Sequence, residues 1–446
     1  MGAVSLGRPL AVDRSAGTLT RSLPHAGWPL TVYFGGYVVL WAIGISHFAA
    51  PLLVAPMVAW MLMTGRARIP RPLGLYILFL VLMLGSLLML EERQNLISFS
   101  YRAATYIAGG VFVMYAYNLP SGRATTRRLA DLLAWFWIVI VVLGILALVL
   151  PADGFQSPVE MILPARLRAN PFIRELVHPG FAQVQIFLGY PVPRPKAPFV
   201  YTNNWGASFA LLTPLFIAQW LRASSPRRRL LARLLMVAAI LPVVVSLNRG
   251  LWISLGIGLL YASVRFAARG QVRSLRTIVV LFLVVGLVAW LSPLRGLLAD
   301  RFETGHSNDS RLTLYAEVLE RIDESPLLGF GAPRDTNEAD RNIPPVGTQG
   351  QFWMVLFSHG IPAAALFVGW FVLAFWRTRR GATPLQFWTN VSLLIACIQL
   401  PFYGMLPTQL MIVMVIAAIA LRERRSDTIA ADEDDTADAA LAPVGT

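Results

Sequence analysis

Apolar runs of about 16–24 residues recur along the chain, separated mostly by short polar connections. An α-helix needs ~20 residues to cross about 30 Å of hydrocarbon. The runs predict spans near 29–47, 48–65, 73–90, 98–117, 132–150, 204–221, 230–247, 250–267, 277–292, 351–376, 386–402 and 407–421. The expected fold is an all-α polytopic membrane protein with about twelve transmembrane helices over a membrane domain at 28–425. Two connections are long, at about 151–203 and 293–350. The run from Trp28 lacks a small-residue cleavage site and lies close to further spans, so it does not read as a removable signal peptide. Residues 1–27 are expected as a disordered basic tail, and 426–446, with Asp432-Glu433-Asp434-Asp435, as a disordered acidic one.

Composition agrees with this pattern. Hydrophobic residues make up 56% of the 446 and charged residues 14%, where a soluble chain carries roughly 25% charged. Mean hydropathy is +0.60.

The net charge of +14 would suggest nucleic acid in a soluble protein. Its placement points elsewhere. Arg66, Arg68 and Arg71, then Arg123, Arg127 and Arg128, then Arg227-Arg228-Arg229, then Arg269, Arg273 and Arg276, then Arg377, Arg379 and Arg380 fall in alternate connections. The intervening Glu91-Glu92-Arg93 is not basic. Short Arg-rich loops stay cytoplasmic, so both termini are expected in the cytoplasm and both long loops outside. Membrane lipids are the expected partner of these arginines; nucleic acid is not.

Cys397 is the single cysteine and lies in an apolar run, which excludes an intrachain disulfide and a cysteine metal site. His25, His47, His178 and His306 are far apart in sequence. There is no metal-ligand spacing, phosphate-binding glycine loop or serine-nucleophile elbow. No metal or cofactor is expected.

Polar groups near membrane depth are the candidates for chemistry. Arg194, Lys196, Asn203 and Asn204 lead from the first long loop into a span that later contains Pro214. Together with the N-terminus of that helix they suit a phosphate or pyrophosphate. They equally suit an interfacial anchor whose cations snorkel to lipid phosphates. The stretch 230–267 is too long for one helix and must fold back at Asn248-Arg249-Gly250. That turn puts Arg249 outside, where it serves either a ligand or the carbonyls of a helix end. The second long loop carries Arg311, an amphipathic stretch through Arg321 suited to an interfacial helix, and a turn at Leu328–Gly331. It ends in Thr348-Gln349-Gly350, ahead of a span containing His359-Gly360. The other arginines of this loop are expected to be solvated or paired with neighbouring acids, such as Arg301 with Glu303.

With these segments in view, the chain resembles the O-antigen ligase and O-antigen polymerase superfamily of bacterial envelope glycan enzymes over about 194–376. The resemblance rests on Arg194, Phe199, Thr202-Asn203-Asn204, Ala207 and Pro214, on Asn248-Arg249-Gly250, and on Arg311 followed by Pro326-Leu-Leu-Gly-Phe-Gly331. It departs from the family where a His-Asn pair closes the large outer loop, with a Glu nine residues and a Gly eleven residues beyond that His. Counting back from Gly360, Gln349 stands for the His, Gly350 for the Asn and Ser358 for the Glu. A glutamine can orient a hydroxyl but cannot take its proton. His359 is a poor substitute at about 15 Å along a helix, and His306, Glu303 and Asp309 remain open.

The resemblance implies transfer of a glycan from a polyprenyl-(pyro)phosphate lipid to an acceptor hydroxyl on a glycan or lipid, at the outer face of the bacterial cytoplasmic membrane. It also implies possible partnership with other envelope-assembly proteins. Arg194 and Arg249 would clamp the pyrophosphate with Lys196 and Arg311 in support, and Asn203, Asn204 and Gln349 would orient sugar or acceptor. A non-catalytic transporter or flippase of lipid-linked glycans would use the same cations, spread along a passage. An envelope scaffold would tolerate their loss.

Overall fold

The computed structural model describes residues 26–120, 122–150, 152–187, 190–273, 276, 306–336, 344–381 and 383–423. The expected span at 277–292, most of both tails, and the Arg301–Glu303 pair lie outside these residues.

The chain is a helical membrane protein. Its opening run is broken into α1 (Trp28–Leu30), a π-helical turn and α2 (Tyr37–Ala42). Then follow α3 (Ser46–Thr64), α4 (Leu73–Gly85), α5 (Arg93–Asn118) and α6 (Arg123–Leu146). The first long connection holds three short helices, α7 (Pro158–Ile162), α8 (Ala165–Arg168) and α9 (Pro171–Val177), and a hairpin, β1 (Ala182–Phe187) with β2 (Tyr190–Pro195). Beyond it run α10 (Thr202–Phe216), which continues into a π-helical turn at Ile217–Leu221, α11 (Pro226–Val245) and α12 (Arg249–Ala268). After the undescribed stretch come α13 (His306–Arg321), α14 (Gln351–Thr378), α15 (Pro384–Gln399) and α16 at 408–423. Among the described residues, five helices are long and apolar enough to cross a membrane: Ser46–Thr64, Asn95–Asn118, Arg123–Leu146, Arg249–Ala268 and Gln351–Thr378.

The hairpin departs from the purely helical expectation. In Ala182-Gln-Val-Gln-Ile-Phe187 polar and apolar residues alternate, the period of a strand. Opposite it, Pro191, Pro193 and Pro195 pair with Ile186, Val184 and Ala182. Proline lacks a ladder donor, so the alternating residues Val192 and Arg194, paired with Gln185 and Gln183, are left to supply it. One face therefore collects Gln183, Gln185 and Arg194, while Ile186 on the other is 72% exposed.

Contacts sort the connections onto two ends of the bundle. At one end the basic segments meet. The Arg68 backbone N–H donates to Asn118 Oδ1 at 2.9 Å, Arg228 pairs with Asp131 at 2.6 Å, and Arg269 donates to the Gly381 carbonyl at 3.1 Å. Arg422 donates to the carbonyls of Ala116, Tyr117, Leu119 and Pro120, satisfying the open end of α5. At the other end the hairpin, the 246–248 turn, α13 and the 400–405 connection come together, and Glu91 pairs with Arg334 at 2.9 Å.

α14 is interrupted. Gly360 has φ 82° and ψ 174°, and the Pro326–Gly331 turn fills the break. Ile361 donates to the Pro326 carbonyl at 2.8 Å, Phe330 to that of Phe357 at 3.0 Å, and Gly331 to that of Ser358 at 2.8 Å.

Candidate functional site

The fold-back between α11 and α12 is tighter, and lies slightly earlier, than the sequence suggests. α11 ends at Val245, and Leu247 turns the chain in the left-handed region at φ 47°. Asn248 caps α12, so Arg249 and Gly250 sit in its first turn. The Asn248 side chain is buried and forked. Its Oδ1 accepts from the Leu251 N–H at 3.2 Å and from the Tyr403 hydroxyl. Its Nδ2 donates to the Thr202 carbonyl at 3.3 Å. One amide thus joins the starts of α10 and α12 to the 400–405 connection.

Arg194 holds the same turn from the hairpin. It is 5% exposed. Its Nε donates to the Ser246 carbonyl at 2.6 Å and its Nη1 to Gln185 Oε1 at 2.5 Å. Gln183, on the same strand face, accepts from the Thr202 N–H at 3.3 Å. The hairpin therefore fixes the first turn of α10 as well as the turn before α12.

Arg249 and Arg311 are both half-buried, on α12 and α13, and close enough for their charges to act on each other. Tyr403 feels the charges of Arg311 and Arg194. Burial pushes its phenol well above the ordinary value, and both cations partly offset this. α13 is moored beside it. The Tyr315 hydroxyl donates to the Pro401 carbonyl at 3.2 Å, and its ring stacks on Trp353 at 4.4 Å. Gln349 is half-buried just ahead of α14, and the Gln351 N–H donates to the Tyr403 carbonyl at 2.8 Å. Arginines from β2, α12 and α13 and the starts of α10 and α12 thus share one region. Helix starts carry partial positive charge, so the region favours an anion.

The other candidates are placed differently. Burial pulls the Lys196 ammonium below its ordinary value, and its charge is felt by Glu175 and Asp153, which partly restore it. Glu175 also accepts from the Tyr201 hydroxyl at 2.5 Å. Asn204 is tied to α16: its Nδ2 donates to Gln409 Oε1 at 3.2 Å, and its carbonyl accepts from Gln409 Nε2 at 3.0 Å. Asn203 is half-buried in the first turn of α10. His359 is 1% exposed inside the bundle, its Nδ1 2.7 Å from Ser86 Oγ and its ring near Phe79, Phe99 and Tyr106. Glu303 and the side chains of His306 and Asp309 lie outside the described residues.

Sequence reasoning passed over Gln185, Tyr403 and Gln409. Isolated polar residues in Gln-x-Gln and in a Pro-Phe-Tyr-Gly connection match no chemical motif, and only the contacts reveal them. Arg102 was also passed over, although an arginine within a span is itself a signal. Its Nη1 is buried and has no hydrogen-bond partner among the described residues.

Residues 234–368 match the family model described as O-antigen ligase. The match takes in Arg249, Arg311 and Gln349, while Arg194, Lys196, Asn203, Asn204 and Tyr403 lie outside it. No curated protein matches the chain.

Proposed function

We propose, because residues 234–368 match the O-antigen ligase family model, that this chain transfers a glycan from a polyprenyl-(pyro)phosphate lipid to an acceptor hydroxyl during assembly of envelope polysaccharide. In the twelve-span arrangement with both termini cytoplasmic, the end of the bundle bearing the hairpin faces outward from the bacterial cytoplasmic membrane. The observation that carries this reading is the gathering of Arg194, Arg249 and Arg311 around Tyr403 and the start of α12.

Transfer forms a bond from the acceptor oxygen to the anomeric carbon and breaks the bond from that carbon to the phosphate oxygen, and the acceptor hydroxyl's proton passes to the departing phosphate or to solvent. The departing lipid pyrophosphate gains negative charge in a partly dry site. Fixed guanidinium groups stabilise that charge, and their planar donors match phosphate oxygens in pairs. Arg249 and Arg311 carry this role. Arg194, with two donors committed to Ser246 and Gln185, holds the turn that carries Arg249. Gln349 orients the acceptor hydroxyl without accepting its proton, and Asn203 contributes to the donor side. In this reading catalysis is metal-independent, because the guanidinium groups counter the charge on the leaving group.

Clustering at one end supports a transferase over a transporter, whose cations would line a passage. The deciding measurement is transfer in vitro from a lipid-linked donor. Arg249→Ala is expected to lower kcat/KM by about 100-fold, the size of losing a charge-assisted contact to the departing group. Wild-type activity in that variant defeats the assignment.

A further inference from the structure

Tyr403 lies outside the matched segment and outside every motif that pointed to the site, in the connection between α15 and α16. We infer that Tyr403 is a positioning residue of the phosphate site, whose hydroxyl seats the first turn of α12 and so aims Arg249 relative to Arg311. The inference rests on the donor-binding reading above.

Several contacts converge on this side chain. Asn248 Oδ1 can only accept, so the Tyr403 hydroxyl spends its single proton there. The phenol oxygen then presses against the backbone of α12. A Cβ placed on Gly250 would lie 2.5 Å from that oxygen and 2.7 Å from Cζ, so the seat admits glycine and nothing larger without displacing the ring. Tyr403 is 4% exposed, and its main chain is held at both ends. Its carbonyl accepts from the Gln351 N–H at 2.8 Å, and its N–H donates to the Gln399 carbonyl at 2.9 Å. Two residues earlier, Pro401 accepts from Tyr315 of α13.

The consequence is geometric. Arg249 rides on α12, Arg311 on α13, and Gln349 lies two residues before α14. All three helices are registered against the five-residue stretch from Pro401 to Met405, and Tyr403 is where α12 meets it. Two like charges converge stably only if their backbones are fixed by something else. The phenol–Asn248 contact supplies that fixing for Arg249. A tyrosine serving only as packing would predict something different: loss of its oxygen would lower stability and leave phosphate affinity alone.

The test uses the full chain in lipid nanodiscs. Its readouts are the Kd for polyprenyl pyrophosphate without glycan, kcat/KM for a lipid-linked donor, and the melting midpoint. Tyr403→Phe is expected to weaken Kd and lower kcat/KM by about 10-fold while remaining folded, a loss comparable to misaiming one charge-assisted contact. Gly250→Ala attacks the same seat from the helix side and leaves the tyrosine intact. It is expected to give the same loss, and the double variant no more than the worse single one, because both changes break one contact. If Tyr403→Phe does not fold, Gly250→Ala carries the test by itself. Normal Kd and kcat/KM in folded Tyr403→Phe, or in Gly250→Ala where that variant stands alone, overturn the inference. So do losses that multiply in the double variant. Wild-type protein that binds no polyprenyl pyrophosphate removes the donor reading and this inference together. Wild-type binding with an unaffected Tyr403→Phe removes only the role of Tyr403.

Discussion

Arg194 reaches from the hairpin to the Ser246 carbonyl at 2.6 Å, tying β2 to the turn between α11 and α12. The same guanidinium meets Gln185 in a different direction, at 2.5 Å. Ser246 is fully buried, so its carbonyl has no ready access to water as an alternative partner. An ammonium keeps the charge but not the fork. Arg194→Lys is therefore expected to lower transfer by about 10- to 100-fold, the equivalent of the ~1.5–3 kcal/mol of a charged hydrogen bond. Transfer rates of Arg194→Lys and Arg194→Gln check this, since equal defects show that geometry rather than charge is at stake.

A second prediction concerns the price of convergence. Arg249 and Arg311 repel each other in the ligand-free protein. Replacing Arg249 by Gln removes that repulsion together with the ligand contact. The melting midpoint without ligand is expected to rise, while the upward shift given by polyprenyl pyrophosphate in the wild type is expected to vanish. A fall in the ligand-free midpoint contradicts this account of the pair.

Gln349 offers a gain-of-function experiment. If Gln349→His restores the group that the family carries at this place, transfer should become faster at neutral pH. It should also acquire a pH limb with a midpoint near the ordinary imidazole value of about 6.5. The sign follows from the chemistry: protonation below that value removes the acceptor for the hydroxyl proton, so the added rate is lost as pH falls. A pH–rate profile identical to the wild type rules out this location for the acceptor hydroxyl.

Gly360 is a backbone requirement. At φ 82° and ψ 174° the chain is in a region that is essentially glycine's own, and a Cβ there would lie 2.5 Å from the Leu327 carbonyl. Gly360→Ala is expected to cost at least the ~1–3 kcal/mol of such strain and to dislodge the Pro326–Gly331 turn. Yield of monodisperse protein and its melting midpoint measure the effect.

Helix existence was largely legible in the sequence, because hydrocarbon demands long apolar runs. The runs at 98–117, 351–376 and 386–402 anticipate α5, α14 and α15 to within a few residues. Alternating charge pointed to a shared end for the basic connections, and the Arg228–Asp131 and Arg269–Gly381 contacts join some of them in pairs. The opening run was less legible. It reads as one span over 29–47, yet breaks at Gly36 and again at Gly44, before α3. The hairpin was hidden by its own prolines, which count against a strand unless every second N–H is unneeded. Within the site, charge and motif pointed to Arg194, Arg249 and Arg311. No pattern in one sequence could show that Asn204 is bound to Gln409, 205 residues away, or that Lys196 faces Glu175 and Asp153. Partners at such separations are fixed by packing, and periodicity carries no record of them.

The tie between Asn204 and Gln409 also bears on how the protein is made. α10 leaves the ribosome nearly two hundred residues before the segment that completes its polar surroundings. Until α15 and α16 have been made, the Asn248 amide lacks its phenol and the start of α14 lacks the carbonyl that receives it. A nascent chain stalled before that point would hold its guanidinium groups without the scaffold that aligns them. The contacts that align the starts of α10, α12 and α14 therefore form late in biogenesis, once α15 and α16 have been made.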